Sequence, residues 1–363
     1  MASTAAGWNG YLRSAARRGA TPAGMALDCV EFWRAATRRR PTRFAHPNTV
    51  RRVWPLARLR EFSPIADGSV ATLVLPPMSG HASTVVDLTA DRSLIATVRD
   101  AGLTGAHCLE WLSTGAQSSP TGIDDVVAVI SAAIEDLGGT VNLVGYSQGG
   151  WLATVYAALH PAQVHTLTVA AAPIDFALGI PGTRNMPGGR PDTELPGLAT
   201  ACRATGVPPA SAAATALRLA EWPEEWARLM DLWAHIGDPA RVAAHVAFES
   251  WLDAPQKVPP DFYRWTALHL FLRNELVRGE LEVSGRVVDL GAIACPLFLL
   301  AGTRDRIVHA RQLWVLADHV STSRNRITRR AIDTGHLEMI TDPGVLREHW
   351  LPILREVAEL SGT

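Results

Sequence analysis

A serine with glycines two residues before and two after it is the residue best placed to do chemistry in this sequence. The pentapeptide Gly145-Tyr146-Ser147-Gln148-Gly149 follows a short apolar run and precedes a segment of helical character. A serine on such a strand-to-helix turn projects its hydroxyl clear of the backbone, where it can attack a carbonyl carbon. The N–H of Gln148 then lies beside that carbonyl and stabilises its negative charge. We therefore predict that Ser147 is a nucleophile.

A serine nucleophile needs a base, and His336 fits that role. It lies in a loop after the last predicted strand, at the sheet edge that also presents Ser147. A carboxylate must orient the imidazole. Asp305, which follows another strand, is favoured, and Asp175, in a loop on the same edge, is the alternative. The order serine, aspartate, histidine along the chain is that of the α/β-hydrolases, so we predict a triad of Ser147, Asp305 and His336.

Further site residues follow from their positions. The second backbone donor to a developing oxyanion is expected in the loop after the first apolar strand, where two prolines precede Met78 and Ser79. Proline has no N–H, so Met78 or Ser79 is the expected donor. His81 in the same loop, and Tyr146 and Trp151 at the elbow, are candidates for contact with substrate. A structural hydrogen bond explains His81 equally well.

The elements around these residues alternate between strand and helix. Short apolar runs predict strands at residues 70–75, 104–109, 141–145, 166–171, 297–301 and 326–332. Segments of helical spacing lie between several of them, and Pro343 begins a final helix with Asp342 as its N-cap. Such alternation predicts a mainly parallel sheet with helices on both faces, and together with the elbow it predicts the α/β-hydrolase fold.

The alternation is interrupted between residues 177 and 285. We predict a helical cap there, inserted between two parts of the hydrolase core at 61–176 and 286–363, with an N-terminal extension at 1–60. The cap is rich in tryptophan, namely Trp222, Trp226, Trp233, Trp251 and Trp265. These side chains either line an apolar acyl-binding lid or fill a helical core. A short apolar segment of the extension, between basic clusters, is expected to pack on the protein or to form a flexible extension, and these are favoured over contact with a lipid or polymer surface.

Composition argues against several classes of protein. The 363 residues carry a formal net charge of −1, so a nucleic-acid partner is not expected. The four cysteines lack the spacing of a zinc site or a disulfide framework. No metal or nucleotide motif is found, so no cofactor is expected. Without a signal peptide or an apolar run of about 20 residues, we expect no transmembrane segment and a cytoplasmic location.

Several segments resemble the polyhydroxyalkanoate synthase and depolymerase branch of the α/β-hydrolases. The segments similar to the synthases are residues 142–150, 156–161, 172–176, 273–276, 279–281, 288–290 and 296–305. Residues 77–81 look more like the intracellular depolymerases. The resemblance covers roughly residues 60 to 340. It implies the same fold, an acyl-enzyme and the same triad positions.

One departure from the synthases bears on the reaction. The synthases carry cysteine in the elbow, where this chain carries Ser147. A cysteine acyl-enzyme is a reactive thioester, whereas a serine acyl-enzyme is an ester whose usual fate is attack by water. We therefore expect first a carboxylic-ester hydrolase that acts on hydroxyacyl esters, oligomers or a short polyester.

Two alternatives stay open. One is an acyltransferase or cyclase that moves an acyl group from coenzyme A or a carrier protein to an alcohol. The other is a non-catalytic protein bound at a granule surface through its basic N-terminus. The expected partner is an acyl ester or thioester, or a hydroxyalkanoate oligomer or polymer, and a homodimer is one candidate assembly.

Overall fold

The computed structural model divides the chain into two compact units. The residues that it describes are 2–78, 80–113, 121–178 and 222–362. The smaller unit comprises Met1–Arg43 with Ser211–Pro255, and the larger unit comprises Phe44–Ala210 with Gln256–Thr363. The N-terminal helices therefore share a unit with part of the helical segment, where the sequence suggested a separate extension.

The helical cap expected at residues 177–285 is also divided, because boundaries between the two units fall within it. Residues 256–285 belong to the larger unit, because their apolar side chains join its core. Residues 179–221 lie outside the described residues.

Eight strands form one sheet in the larger unit. The strands of the described residues are β1 (Thr49–Val53), β2 (Ala57–Glu61), β3 (Ala71–Leu75), β4 (Gly80–His81), β5 (Asp87–Thr89), β6 (Arg92–Ser93), β7 (Ala106–Trp111), β8 (Val141–Tyr146), β9 (Val164–Ala170), β10 (Pro255–Gln256), β11 (Glu282–Val283), β12 (Arg286–Val287), β13 (Leu297–Gly302) and β14 (Ile327–Ile332). The sheet order is β1-β2-β7-β3-β8-β9-β13-β14. Strand β2 is antiparallel to both neighbours, and the other neighbouring pairs are parallel.

Helices occur in both units. The α-helices of the described residues are α1 (Ala2–Arg17), α2 (Pro22–Thr37), α3 (Leu94–Asp100), α4 (Ile123–Asp136), α5 (Gln148–Leu159), α6 (Trp222–Ala234), α7 (Pro239–Leu252), α8 (Pro260–Trp265), α9 (Glu275–Arg278), α10 (Ala310–Trp314), α11 (Leu316–His319), α12 (Glu338–Thr341), α13 (Pro343–Val345) and α14 (Leu351–Leu360). Two π-helical stretches, Thr266–Leu272 and Leu346–Trp350, continue α8 and α13. None of the helices in the described ranges is long and apolar enough to cross a membrane.

The apolar runs of the sequence become the centre of the sheet. Every residue of β3, β8 and β13 is buried, as expected for parallel strands covered by helices on both faces. Asp342 caps the terminal helix by accepting hydrogen bonds from the N–H groups of Gly344 and Val345. The predicted α/β-hydrolase fold is confirmed.

Two strands at the edge of the sheet were not predicted. Strands β1 and β2 lie almost entirely within residues 1–60, with Glu61 the one exception, and their sequences, TVRRV and ARLRE, are rich in arginine. All five residues of β1 are exposed, and β2 alternates in burial. Strands near the edge of a sheet, with one face exposed to solvent, lack the continuous apolar run that identifies a central parallel strand.

The smaller unit has a core of its own. Its buried residues include Tyr11 of α1 and Trp233 of α6, whose rings stack with centroids 4.1 Å apart. Helix α1 approaches α6 so closely that a side chain on Gly7 or Gly10 would meet Cβ of Met230 or Ala234 at less than 3 Å. The first two helices are therefore packed parts of a folded unit.

Candidate active site

Ser147 lies on a sharp turn between the end of β8 and the start of α5. Its φ and ψ angles are 52° and −121°, a strained conformation for a residue with a side chain. The turn is tight because glycines let the two elements approach. A side chain on Gly145 would meet the backbone of Gly149, and one on Gly149 would collide with the Leu75 carbonyl. This geometry presents the serine hydroxyl at the carboxyl edge of the sheet.

His336 and Asp305 lie beside this serine. Nε2 of His336 is 3.0 Å from Oγ of Ser147, and Nδ1 is 2.7 Å from Oδ2 of Asp305. Asp305 follows β13 and His336 follows β14, and these two strands are parallel neighbours. Both side chains are nearly inaccessible to solvent, which protects their hydrogen bond from competition with water. The structure thus brings together the three residues that the sequence selected.

Neighbouring groups hold this arrangement in place. The second oxygen of Asp305, Oδ1, accepts hydrogen bonds from the N–H groups of Ile307 and Val308, both at 2.8 Å. The Tyr146 hydroxyl donates to the backbone carbonyl of His336 at 2.7 Å. Tyr146 was a candidate for contact with substrate. The structure buries its side chain and gives its hydroxyl this positioning bond instead.

The alternative acid, Asp175, has a different role. Its Oδ1 accepts hydrogen bonds from the N–H groups of Ala177 and Leu178 and from Nδ2 of Asn274. The Asn274 side chain also accepts a bond from the N–H of Phe176. Asp175 therefore shapes its own loop, and Asp305 is the carboxylate on His336 Nδ1.

The expected oxyanion donors lie near each other. Gln148 is the first residue of α5, so its N–H is at the positive end of the helix. The N–H of Met78 donates a hydrogen bond to Oε1 of the Gln148 side chain at 2.8 Å. Ser79, the other expected donor, lies outside the described residues. His81 is buried in β4 and is not among the residues that line the cavity beside Ser147.

A cavity of about 350 Å³ opens beside the serine. Its described lining is mostly apolar and consists of Pro77, Ser147, Gln148, Trp151, Pro173, Phe176, Phe262, Tyr263, Thr266, Ala267, Phe271, Ile307, Val308 and Gln312. Trp151, a predicted contact, stacks against Phe262 with ring centroids 6.2 Å apart. A wall of this kind suits an acyl chain better than a charged or strongly polar group.

The aromatic wall differs in part from the expected one. Trp233 and Trp251 are buried in the smaller unit, and no described tryptophan of residues 177–285 lines the cavity. The Trp222 side chain lies outside the described residues. Phe262 and Phe271, from α8 and the π-helical stretch after it, line the cavity instead. Helical spacing alone did not identify them, because it does not reveal which side of a helix faces the serine.

Two of the cysteines, Cys108 and Cys295, are poorly suited to act as nucleophiles. Burial raises the pKa of the Cys295 thiol to about 11 and that of Cys108 well above its usual value. Both thiols are therefore protonated near neutral pH. Within the described ranges, no group of His, Cys, Asp and Glu side chains could hold a metal ion.

Comparisons with a family model and with solved structures both support the α/β-hydrolase fold. Residues 111–343 match the family model described as the alpha/beta hydrolase fold. An α/β-fold hydrolase from Bacillus anthracis superposes with a TM-score of 0.51 and 13% identity, over 85% of this chain and 98% of that one.

Several of the curated relatives, including the following three, are named poly(3-hydroxyalkanoate) polymerase subunit PhaC. The protein from Synechocystis is 26% identical over 283 residues, which are 74% of this chain and 74% of the relative. The one from Haloferax mediterranei is 23% identical over 77% of this chain and 57% of the relative. The one from Thiocystis violacea is 25% identical over 62% and 63%, respectively. The chain therefore spans less than two thirds of the second and third relatives. The three together support the predicted polyhydroxyalkanoate synthase and depolymerase branch, on its synthase side.

Proposed function

Because the chain belongs to the α/β-hydrolase fold family, we propose that it is an acyl-transfer enzyme that forms an acyl-enzyme on Ser147. The observation that carries this proposal is the pair of hydrogen bonds from His336, 3.0 Å to Ser147 and 2.7 Å to Asp305. The acyl donor is a hydroxyacyl thioester or ester, and the acceptor is an alcohol such as the free hydroxyl of a growing hydroxyacyl chain.

The proposed chemistry begins with proton transfer. Nε2 of His336 takes the proton of the Ser147 hydroxyl as Oγ attacks the carbonyl carbon of the donor, while Asp305 stabilises the imidazolium that forms. The N–H groups of Gln148 and Met78 stabilise the oxyanion. His336 then gives its proton to the departing thiolate or alkoxide, which leaves the acyl group on the serine. The same steps in reverse, with an alcohol in place of the leaving group, deliver the acyl group to the acceptor.

The choice of transfer over hydrolysis rests on the relatives and on the cavity. Several curated relatives are named polymerase subunits, whereas the sequence led us to expect hydrolysis first. The mostly apolar wall beside Ser147 favours an acyl chain and disfavours water, which gives an alcohol the advantage in deacylation. These points support the acyltransferase alternative.

Hydrolysis is the second candidate, and one specific observation favours it. The elbow carries Ser147, and the oxygen ester formed there is less reactive toward alcohols than a thioester and is commonly released by water. The granule-binding hypothesis receives less support, since the family and the relatives identify the chain as an enzyme of the α/β-hydrolase type. A homodimer stays a prediction, which sedimentation of the purified chain would test.

The two candidates differ in the product they release. Purified protein is incubated with 3-hydroxybutyryl and 3-hydroxyoctanoyl thioesters of coenzyme A, with and without a hydroxyacyl ester as the acceptor. Mass spectrometry then counts free acid against extended ester. We expect extended ester to predominate when the acceptor is present, and Ser147→Ala to form neither product. Free acid alone, whatever acceptor is added, would assign the chain to hydrolysis.

The nucleophile itself supplies a matched variant. Ser147→Cys replaces the ester intermediate with a thioester, so we expect a larger share of extended ester among its products than for the wild-type chain. An unchanged share would indicate that the cavity, rather than the acyl linkage, determines the acceptor. The absence of any product in both proteins would contradict the proposal.

A further inference from the structure

Helix α2 exposes apolar side chains that a soluble helix normally buries. Leu27, Val30 and Trp33 are 70%, 54% and 68% exposed, and they recur every three residues on one side of the helix. The only buried residue of this sixteen-residue helix is Ala35. Most of the stability of a protein helix comes from burial of an apolar face. The apolar side of α2 formed by Leu27, Val30 and Trp33 is instead exposed to solvent.

Helix α1 has the same double character. Tyr11 faces the core of the smaller unit, while Trp8 and Leu12, one turn apart, are 51% and 50% exposed. The Tyr11 hydroxyl donates a hydrogen bond to Asp28 of α2 at 3.1 Å. This bond makes the two helices neighbours within the smaller unit. We call Trp8, Leu12, Leu27, Val30 and Trp33 together the α1–α2 face.

The same part of the chain is strongly basic. Residues 1–43 contain eight arginines against Asp28 and Glu31, a net charge of +6 in a chain whose net charge is −1. Arg18 pairs with Asp28, Arg34 pairs with Glu31, and Arg39 pairs with Glu249 and Asp253 of the same unit. The arginines for which no carboxylate partner is found in the described ranges are Arg13, Arg17, Arg38, Arg40 and Arg43.

We propose that the α1–α2 face binds the surface of a bilayer that contains anionic lipid, with both helices lying in the plane of the headgroups. Tryptophan prefers the boundary between water and hydrocarbon, and leucine and valine gain by leaving water. The guanidinium groups of the same segment pair with lipid phosphates. The combination of an apolar stripe and flanking arginines is that of helices that lie on membranes without crossing them.

Charge argues against the main competing occupant. A second copy of this chain that docked through the same face would bring two segments of net charge +6 together. Such like charges repel across an interface unless acidic groups lie between them, and this segment contains only Asp28 and Glu31. An anionic surface has the opposite charge and also accepts the apolar side chains.

Vesicle flotation of the full chain tests this inference. The probes are vesicles of phosphatidylcholine alone and vesicles with 30% phosphatidylglycerol. We expect binding to the mixed vesicles to be at least tenfold stronger than to the neutral ones, and to weaken in 0.5 M NaCl. Absence of binding to the mixed vesicles, or equal binding to both, would overturn the proposal.

Substitutions locate the binding surface. Leu27→Ser with Trp33→Ser should reduce binding to the mixed vesicles at least tenfold. The control pair is Val53→Ser with Val287→Ser, which removes exposed apolar side chains of the larger unit and should leave binding unchanged. Equal loss in both pairs would contradict the α1–α2 face. If the wild-type chain ignores vesicles but forms a dimer that Leu27→Ser dissociates, the face is a self-association surface and the lipid proposal fails.

This inference is independent of the proposed reaction. Ser147→Ala should bind vesicles as the wild-type chain does, because Ser147 belongs to the larger unit. Conversely, the Leu27→Ser and Trp33→Ser variant should keep the wild-type rate of acyl transfer from a water-soluble donor. Failure of one proposal therefore leaves the other intact.

Discussion

The backbone N–H of Met78 donates a 2.8 Å hydrogen bond to Oε1 of Gln148. Met78 is one of the two residues proposed to stabilise the oxyanion through their N–H groups, and the other is Gln148 itself. The Gln148 side-chain oxygen therefore takes one of the donors that a substrate carbonyl requires. The side-chain amide of Gln148 must therefore move away when the substrate binds. Only then can the backbone N–H groups of Met78 and Gln148 both donate hydrogen bonds to the oxyanion.

A pair of Gln148 variants tests this competition. Gln148→Met keeps the length of the side chain and the backbone donor but removes the competing oxygen. Displacing one neutral hydrogen bond costs about 1 kcal/mol, so we expect Ser147 to be phosphonylated by a fluorophosphonate about fivefold faster. Gln148→Glu offers a charged acceptor, which binds an N–H more strongly, and should slow the same reaction. Slower labelling of the methionine variant would show that the glutamine side chain helps to orient Met78.

The two candidate acids are distinguished by their hydrogen bonds. Asp305→Asn removes the carboxylate that fixes the tautomer of His336, and we expect kcat to fall about 10³–10⁴-fold. Asp175→Asn alters a loop that is also held by Asn274, so we expect less than a tenfold loss. Single-turnover kinetics of Ser147 acylation measures both variants. A greater loss for Asp175→Asn would overturn the assignment of the acid.

The cavity wall predicts a limit on acyl length. Thr266 lines the cavity beside Ser147 and stands in the first turn of the π-helical stretch. Thr266→Trp fills part of the 350 Å³, so long acyl chains lose buried methylenes at about 0.8 kcal/mol each. We expect kcat/KM for octanoyl donors to fall at least tenfold relative to butyryl donors. Leu268→Trp, a change at an exposed position of the same stretch, should leave this ratio unaltered.

A buried histidine away from the site predicts a dependence of stability on pH. Burial in β7 lowers the pKa of His107, whose Nδ1 lies 2.7 Å from the Gly105 carbonyl. The folded chain therefore protonates this imidazole less readily than the unfolded chain, which binds a proton below about pH 6.5. The contribution of His107 is present above that pH and is lost as the pH falls toward the depressed pKa.

Urea unfolding at pH 7.5 and at pH 5 measures this effect. We expect the free energy of unfolding to decrease on acidification, and His107→Gln to remove part of the decrease. His319→Gln, at an exposed position, is the matched control and should retain the whole pH dependence. An identical pH dependence in His107→Gln and the wild-type chain would contradict this role.

Sequence reasoning succeeded where the information is local. Strands such as β3, β8 and β13 are buried on both faces, so their residues form continuous apolar runs. Ser147 is marked by its glycines, and His336 by its place after the last strand. Such features depend on a few adjacent residues and on the rule that parallel strands end at one edge of a sheet.

Prediction from the sequence is incomplete where contacts join distant parts of the chain. The arginine-rich strand β2 joins the sheet by pairing with β7, and β1 joins it by pairing with β2. The hydrogen bond of Tyr146 to His336 spans 190 residues, and that of Asn274 to Asp175 spans 99. Phe262 and Phe271 lie far from the elbow in sequence, and periodicity does not show which side of their helix meets the serine.

The π-helical stretch from Thr266 to Leu272 supplies two residues of the cavity wall besides Phe271, namely Thr266 and Ala267. A π turn accommodates one residue more than an α turn while the helix on either side keeps its direction. We expect the loss of a single residue here to restore ordinary α-helical geometry and so to turn Phe271 to a different direction relative to α8. We therefore expect the shape of this cavity wall to change by a one-codon deletion as well as by substitution.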